Sequence, residues 1–144
     1  MSFGDSLIKR VVETLKEEFP KLRIFATLSP IPGFRAWLGK HVGPLIEALN
    51  EREKLALGRA VGCEPPGPTD FLAAVDTPLT LTEKSAVRQM LLRCAAHYRG
   101  QALVDGKPVD PVARFHLGNG ARVERLNWAG DPSGKGLKQS YGLM

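Results

Sequence analysis

The chain from Asp5 to Phe34 reads DSLIKRVVETLKEEFPKLRIFATLSPIPGF, and this stretch determines the fold class that we expect. Its first half places apolar residues at helical spacing after Asp5, a residue type that caps helices. The short apolar run from Leu22 to Leu28 predicts a buried strand, because Pro30 and Pro32 stop it. A helix followed by a strand favours an α/β fold.

Farther along the chain, the pattern predicts a helix-rich middle segment and a second strand. The predicted elements are a helix from Phe34 to Leu49 with a break near Gly43-Pro44, a loop from Gly62 to Thr69, a helix from Thr82 to Tyr98, a short helix from Pro111 to Leu117 and a half-buried strand from Ala121 to Trp128. We therefore expect helices that alternate with the strands of a sheet, as in an α/β fold.

Composition limits the classes of protein that fit. The 144 residues are 43% hydrophobic and 24% charged, which is typical of one globular domain. No apolar run approaches the roughly 20 residues of a bilayer span, and no leader pattern opens the chain, so we predict a cytoplasmic protein without a membrane partner. Cys63 and Cys94 lack metal-ligand spacing, which indicates free thiols and no metal site.

The net charge of +5 favours an anionic partner. The few aromatic residues are scattered, and the chain has no run of basic residues interleaved with them. We therefore predict a phosphorylated small molecule as the partner, and no nucleic acid.

Two polar residues lie in settings that suggest chemistry. Ser29 follows the first predicted strand, at the end where open α/β sheets bind ligands. His116 precedes Gly118-Asn119-Gly120, where a sharp turn can present the ring from a fixed position. The alternatives are an ordinary turn serine and a histidine satisfied within the core.

The first residues form a third candidate site. Ser2, Phe3, Gly4 and Asp5 precede or open the first predicted helix, whose free N–H groups and positive dipole end can hold a phosphate. A capped surface helix without a ligand is the alternative interpretation.

Five segments in the same order resemble malonyl-CoA decarboxylase. They are SLIKRVVETLKEEFP (6–20), LSPIPGF (28–34), DPVARFHLGNGA (110–121), RLNWAGD (125–131) and GLKQSYGLM (136–144). The resemblance covers nearly the whole chain except the variable helical and loop region 39–82. It implies that residues 1–144 are part of that family's catalytic domain, with an incomplete GNAT-like acyltransferase fold.

The resemblance also implies functional residues. Ser29 and His116 match the family's catalytic serine and histidine, and Ser2, Phe3, Gly4 and Asp5 match part of its coenzyme A-binding loop. The implied reaction converts malonyl-CoA to acetyl-CoA and CO2 without a separate cofactor. A homo-oligomer is implied for the full-length family member, and a mitochondrial or peroxisomal location for a eukaryotic one.

This chemistry suits a hydroxyl and an imidazole. Loss of CO2 leaves an enolate whose charge the thioester carbonyl accepts, so the protein must supply hydrogen bonds and a proton. Our hypothesis is that Ser29 binds the malonyl carboxylate or enolate and relays a proton that His116 donates.

Two alternatives stay open at this point. One is an acyl-CoA transferase or thioesterase in which Ser29 is a nucleophile and His116 its base, although no G-x-S-x-G motif is present. The other is an inactive fragment, because the chain begins within the expected loop and lacks strands of the expected sheet. Such a fragment would act as a coenzyme A-binding or interaction module.

Overall fold

Helices dominate the fold of residues 3–144, the range that the computed structural model describes apart from the side chains of Phe3 and Asp5. The helices are α1 (Phe3–Glu18), α2 (Phe34–Glu47), α3 (Glu51–Val61), α4 (Pro68–Ala74), α5 (Ala86–Gly100), α6 (Pro111–Gly118) and α7 (Gly134–Ser140), with a single 3-10 turn at Pro78–Thr80. Strands β1 (Leu103–Val104) and β2 (Lys107–Pro108) complete the described elements. The predicted helix-rich middle segment is confirmed.

Strands β1 and β2 form an antiparallel hairpin between α5 and α6. Leu103 pairs with Pro108 and Val104 with Lys107. The two turn residues, Asp105 and Gly106, have φ values of 51° and 73°. Both values lie in the left-handed region that a type I′ hairpin turn requires, which the Asp-Gly pair adopts readily.

The core lies where α2 and α5 pack together with α3, α4 and α7. One stripe of α2 is buried at i, i+4 spacing: Phe34, Leu38, Val42 and Ile46. The Phe34 ring lies 5.7 Å from the Tyr98 ring of α5 and 6.0 Å from the Tyr141 ring after α7. These aromatic contacts join the start of α2 to the end of α5.

Both predicted strands are wrong for the described part of the chain. Residues 22–31 and 121–127 run as irregular backbone without ladder partners. A strand needs a neighbour to accept its hydrogen bonds, and residues 23–30 and 122–126 make no backbone hydrogen bond with another described residue, although Asn127 pairs with Met144. Ile24 is 87% exposed and Leu28 64% exposed, although a buried strand was predicted. The described residues are instead mostly helical, with a small two-stranded sheet at 103–108 that the sequence did not predict.

Helix boundaries also differ from those predicted. The expected break at Gly43-Pro44 is wrong, because α2 continues through Pro44 to Glu47. Pro44 removes one helical hydrogen bond, to the Lys40 carbonyl, but both residues lie on the exposed face where water can compensate. Helix α5 begins at Ala86 rather than Thr82, because the Ser85 hydroxyl caps it by accepting from the Arg88 N–H.

Helix α1 keeps much of its apolar face in solvent. Leu7 is 51% exposed and Val11 49% exposed. Across residues 3–144, no helix combines the length and the hydropathy needed to cross a membrane.

A buried thiol and two buried phenols in the core make the stability of the fold depend on pH in the alkaline range. Burial raises the pKa of the Cys94 thiol to about 12, and it also raises the pKa of the Tyr98 and Tyr141 phenols. Each group favours its neutral form in the folded chain. The resulting stability is complete at neutral pH and is lost as the pH rises through the folded pKa values.

We expect the free energy of unfolding to fall as the pH rises above 9. Unfolded Cys94 ionises from its ordinary pKa of 9.0, whereas the buried thiol stays protonated to about 12. The thiol contributes a slope of at most about 1.4 kcal/mol per pH unit. Denaturant titrations between pH 8 and about 11 measure it, and Cys94→Ala should make the decline less steep. Val42→Ala is the control: it should lower stability at every pH but keep the wild-type slope.

Candidate active site

Ser29 and His116 meet in the folded chain. The Ser29 Oγ lies 3.2 Å from the His116 Nε2, although the two residues are 87 positions apart. Both side chains are half-buried. The distance suits a hydrogen bond between a hydroxyl and an imidazole nitrogen, which either atom can donate depending on the tautomer. The two residues predicted from separate motifs are therefore partners.

The segment before α2 positions Ser29. Ile31 is fully buried and anchors this segment to the core, while its carbonyl accepts the N–H of Phe34 at the start of α2. Two residues before Ser29, the Thr27 Oγ1 lies 3.0 Å from the Ser29 Oγ. Residues i and i+2 of an extended chain lie on the same face, which places both hydroxyls together.

Thr27 was missed by the sequence analysis. Its i, i+2 spacing from Ser29 was the available signal, since the segment was already predicted to be extended. The Ser29 hydroxyl thus has a polar neighbour on each side, Thr27 and His116.

Helix α6 carries His116 in its last turn. Asp110 caps its first turn by accepting the Val112 N–H at 3.1 Å, and Pro111 occupies the first helical position. At the other end, the Asn119 side chain donates to the Phe115 carbonyl at 2.9 Å. The polar turn after His116 was expected to present the ring from a fixed position. In the structure, it caps the helix that carries the imidazole.

The first turn of α1 lies beside this helix end. A Cβ placed on Gly4 would be 3.6 Å from Cζ of Phe115, whose ring packs edge-on against the His116 ring at 5.1 Å. Ser2 and the side chains of Phe3 and Asp5 lie outside the described residues. Of the four predicted loop residues, Gly4 is therefore the one whose contact with the site is visible.

Ser29 and His116 do not line either of two grooves that lie elsewhere on the described surface. One groove lies between α3 and α5 and includes Glu53 and Arg93, and the other lies at the end of α5 and includes His97 and Gln101. Within residues 3–144, no cluster of three or more His, Cys, Asp and Glu side chains could hold a metal ion. The chemistry available at this surface is hydrogen bonding and proton transfer.

Gly33 brings the Ser29 segment against α5. A Cβ at this position would be 2.7 Å from the Tyr98 Oη and 3.8 Å from its Cζ. The backbone of Gly33 is in the right-handed region, so an alanine meets no conformational penalty there. The close approach to the phenol oxygen is the reason for a glycine.

We expect Gly33→Ala to lower the melting temperature and to weaken the Ser29–His116 contact. The free energy of unfolding should fall by about 1–3 kcal/mol, as for overpacking in other protein cores. Tyr98→Phe removes the single atom that clashes, so the double variant Gly33→Ala/Tyr98→Phe should recover most of the loss relative to Tyr98→Phe alone. Denaturant unfolding of the wild type, the two single variants and the double variant measures this coupling. Additive effects would contradict the contact.

The family model described as "Malonyl-CoA decarboxylase C-terminal domain" matches residues 1–144. Among curated proteins, the mitochondrial malonyl-CoA decarboxylase of Mus musculus is 38% identical over 153 residues, which cover all of this chain and 31% of that protein. The mitochondrial malonyl-CoA decarboxylase of Anser anser anser is 34% identical over 151 residues, covering all of this chain and 30% of that protein.

Solved structures of malonyl-CoA decarboxylases are similar to the structure of this chain. Malonyl-CoA decarboxylase from Cupriavidus metallidurans superposes with a TM-score of 0.82 at 46% identity, covering all of this chain and 36% of that one. Malonyl-CoA decarboxylase from Rhodopseudomonas palustris has a TM-score of 0.67 at 42% identity and 31% coverage of its chain. This chain thus spans about a third of the length of the relatives that it matches.

Proposed function

This chain belongs to the malonyl-CoA decarboxylase C-terminal domain family, and we propose on that premise that it decarboxylates malonyl-CoA to acetyl-CoA and CO2. The observation that carries the proposal is the 3.2 Å contact between the Ser29 Oγ and the His116 Nε2. It brings a hydroxyl and an imidazole to one surface, and these are the two groups that the reaction needs.

The reaction breaks the bond between the carboxylate carbon and the α-carbon of the malonyl group. The bonding electrons pass into the thioester carbonyl, giving CO2 and an enolate, and a proton then forms the new C–H bond of acetyl-CoA. The thioester is itself the electron sink, so the proposed chemistry requires no separate cofactor. The protein lowers the barrier by stabilising the enolate oxygen and delivering the proton.

In the proposed mechanism, the Ser29 O–H donates to the malonyl carboxylate or to the developing enolate. A protonated His116 donates its Nε2–H to the Ser29 Oγ, so that a proton passes through the hydroxyl to the α-carbon. Thr27, 3.0 Å from the Ser29 Oγ, holds the hydroxyl in line. A half-buried site strengthens each of these hydrogen bonds relative to water.

Coenzyme A binds, in this proposal, at Ser2, Phe3, Gly4 and Asp5. The free N–H groups at a helix start attract phosphate oxygens. Support comes from the contact between Gly4 and Phe115, because it brings the start of α1 next to the residue that precedes His116.

The finer fold assignment is also a proposal: the described helices and irregular segments belong to a GNAT-like domain. Residues 22–30 and 121–127 would then lie on a surface of that domain that packs against further structure. Their exposed apolar side chains support this, since Ile24, Leu28 and Val123 are each at least 45% exposed.

The proposed partners are malonyl-CoA and acetyl-CoA, with a homo-oligomer for the longer family member. The cytoplasmic location stays a prediction.

Replacing His116 with Ala should reduce the release of acetyl-CoA from malonyl-CoA by roughly 10²-fold or more, because the proton donor is lost. Ser29→Ala should have a similar effect, and the double variant should be little worse, since the two groups act as a unit. His41→Ala is the matched control: this exposed histidine stacks on Trp37, and its loss should leave turnover within about two-fold.

Product analysis decides between this function and its alternatives. Acetyl-CoA and CO2 support decarboxylation, whereas free malonate and coenzyme A would indicate a thioesterase, and a malonylated acceptor would indicate a transferase. Coenzyme A binding without any product would favour the inactive binding module. Wild-type turnover in a folded His116→Ala chain would remove the imidazole from the mechanism.

Amide hydrogen exchange tests whether the backbone of residues 22–28 is unpaired. In a monomeric chain, amides of residues 22–28 should exchange within seconds, because they have no ladder partners, while those in the middle of α5 stay protected. Sedimentation at the same concentration establishes the oligomeric state. Strong protection of residues 22–28 in a monomer would contradict the unpaired backbone. Protection confined to an oligomer, and lost in Ile24→Lys, would show that the copies pair along this edge.

A further inference from the structure

Asp110 fixes the start of the helix that carries His116. Its carboxylate is fully buried, and one oxygen, Oδ1, accepts the N–H of Val112. Its carbonyl accepts the N–H of Arg114, whose side chain donates to the Pro108 carbonyl of the hairpin. A buried carboxylate of this kind is costly unless an opposite charge compensates it.

Arg99 supplies that charge from the last turn of α5. Its Nε lies 3.3 Å from the Asp110 Oδ2, and the side chains are 9% and 0% exposed. The two atoms are close enough for an ion pair but are not aligned for a hydrogen bond, and neither makes one with another described residue. Their mutual attraction adds to the backbone hydrogen bond from the Val109 N–H to the Ala102 carbonyl in holding the end of α5 to the start of α6.

The preceding residue of α5 contacts the other half of the active site. Tyr98 is 2% exposed, and its hydroxyl lies against Gly33, four residues after Ser29. The Asp110 carboxylate adds to burial in raising the pKa of the Tyr98 phenol, which indicates that the two groups are near each other. Consecutive residues of one helix, Tyr98 and Arg99, thus reach the Ser29 segment and the His116 helix.

We propose that the Arg99–Asp110 ion pair is a positioning pair that sets the distance between the His116 imidazole and the Ser29 hydroxyl. His116 follows Asp110 by six residues, a rise of about 9 Å along a rigid helix. A displacement of the helix start is therefore carried directly to the imidazole. The Ser29–His116 contact is 3.2 Å, so a shift of about half an ångström takes it beyond ordinary hydrogen-bond range.

The proposed pair acts through α6 and does not touch the reacting groups. Its effect on the imidazole is independent of the reaction, whereas its catalytic consequence rests on the proposed function. A readout at His116 itself separates positioning from a general contribution to stability.

The test is the ¹⁵N NMR spectrum of the ring nitrogens in the chain labelled with [¹⁵N]histidine. His116 is assigned among the three histidines by single substitution. Ser29→Ala gives the reference signal of an imidazole without its serine partner. In Asp110→Asn the amide oxygen still caps α6, since Asn and Asp are equivalent caps, but the charge is lost. We expect the His116 Nε2 signal to move at least half of the way toward that reference.

Arg93→Gln is the matched control. Arg93 also lies on α5 and pairs with Glu53 at 2.9 Å, but this ion pair is exposed and joins α5 to α3. The His116 signals of the Arg93→Gln variant should coincide with those of the wild type. Coincidence of the Asp110→Asn and wild-type signals would overturn the proposal. Should Asp110→Asn fail to fold, Arg99→Lys keeps both charges but displaces the donor atom, and unchanged His116 signals there overturn it equally.

Kinetics separates failure of this proposal from failure of the proposed function. Asp110→Asn should lower kcat for malonyl-CoA about 10-fold or more with KM within about two-fold, because the substrate still binds while the proton donor is misplaced. A wild-type chain without decarboxylase activity would overturn the proposed function and leave the NMR comparison to decide the positioning role. An active wild type with unmoved NMR signals in Asp110→Asn would overturn the positioning role alone.

Discussion

The contact of α2 with α5 around Phe34 and Tyr98 is the interaction on which the other features depend. The two rings lie 5.7 Å apart in the core, and the Tyr98 hydroxyl reaches the turn at Gly33. Burying two aromatic side chains at one point contributes a large share of the apolar area removed from water. Because Ser29 leads into this turn and Arg99 follows Tyr98, both halves of the candidate site are built on the same contact.

The candidate site has few side chains for a catalytic centre. The proposed reaction requires few, because the substrate carries its own electron sink. Decarboxylation of a β-carboxy thioester moves electrons into a carbonyl that the substrate brings with it. A protein that lowers this barrier needs an aligned donor for the oxyanion and a source of one proton. In the proposed mechanism, the Ser29 hydroxyl, 3.0 Å from Thr27 and 3.2 Å from His116, would supply both.

Several apolar side chains of α1 and of the segment after it lie at the surface. Leu7 is 51% exposed, Val11 49% and Ile24 87%. The chain also spans about a third of the length of its relatives. The exposed apolar side chains suit a surface that packs against another one, because monomeric proteins rarely expose large apolar patches.

The sequence alone determined that four helices form: the amphipathic α1, α2, α5 and the short α6 from Pro111. It also identified Ser29 and His116, since their motifs carry the family resemblance. The predicted strands failed because strand formation depends on a partner, which a local apolar pattern cannot reveal. Only the tertiary structure decided that Ser29 and His116 lie 3.2 Å apart, that Thr27 joins them, and that Arg99 compensates Asp110. Such contacts join residues distant in sequence, and the packing of α2 on α5 sets their geometry.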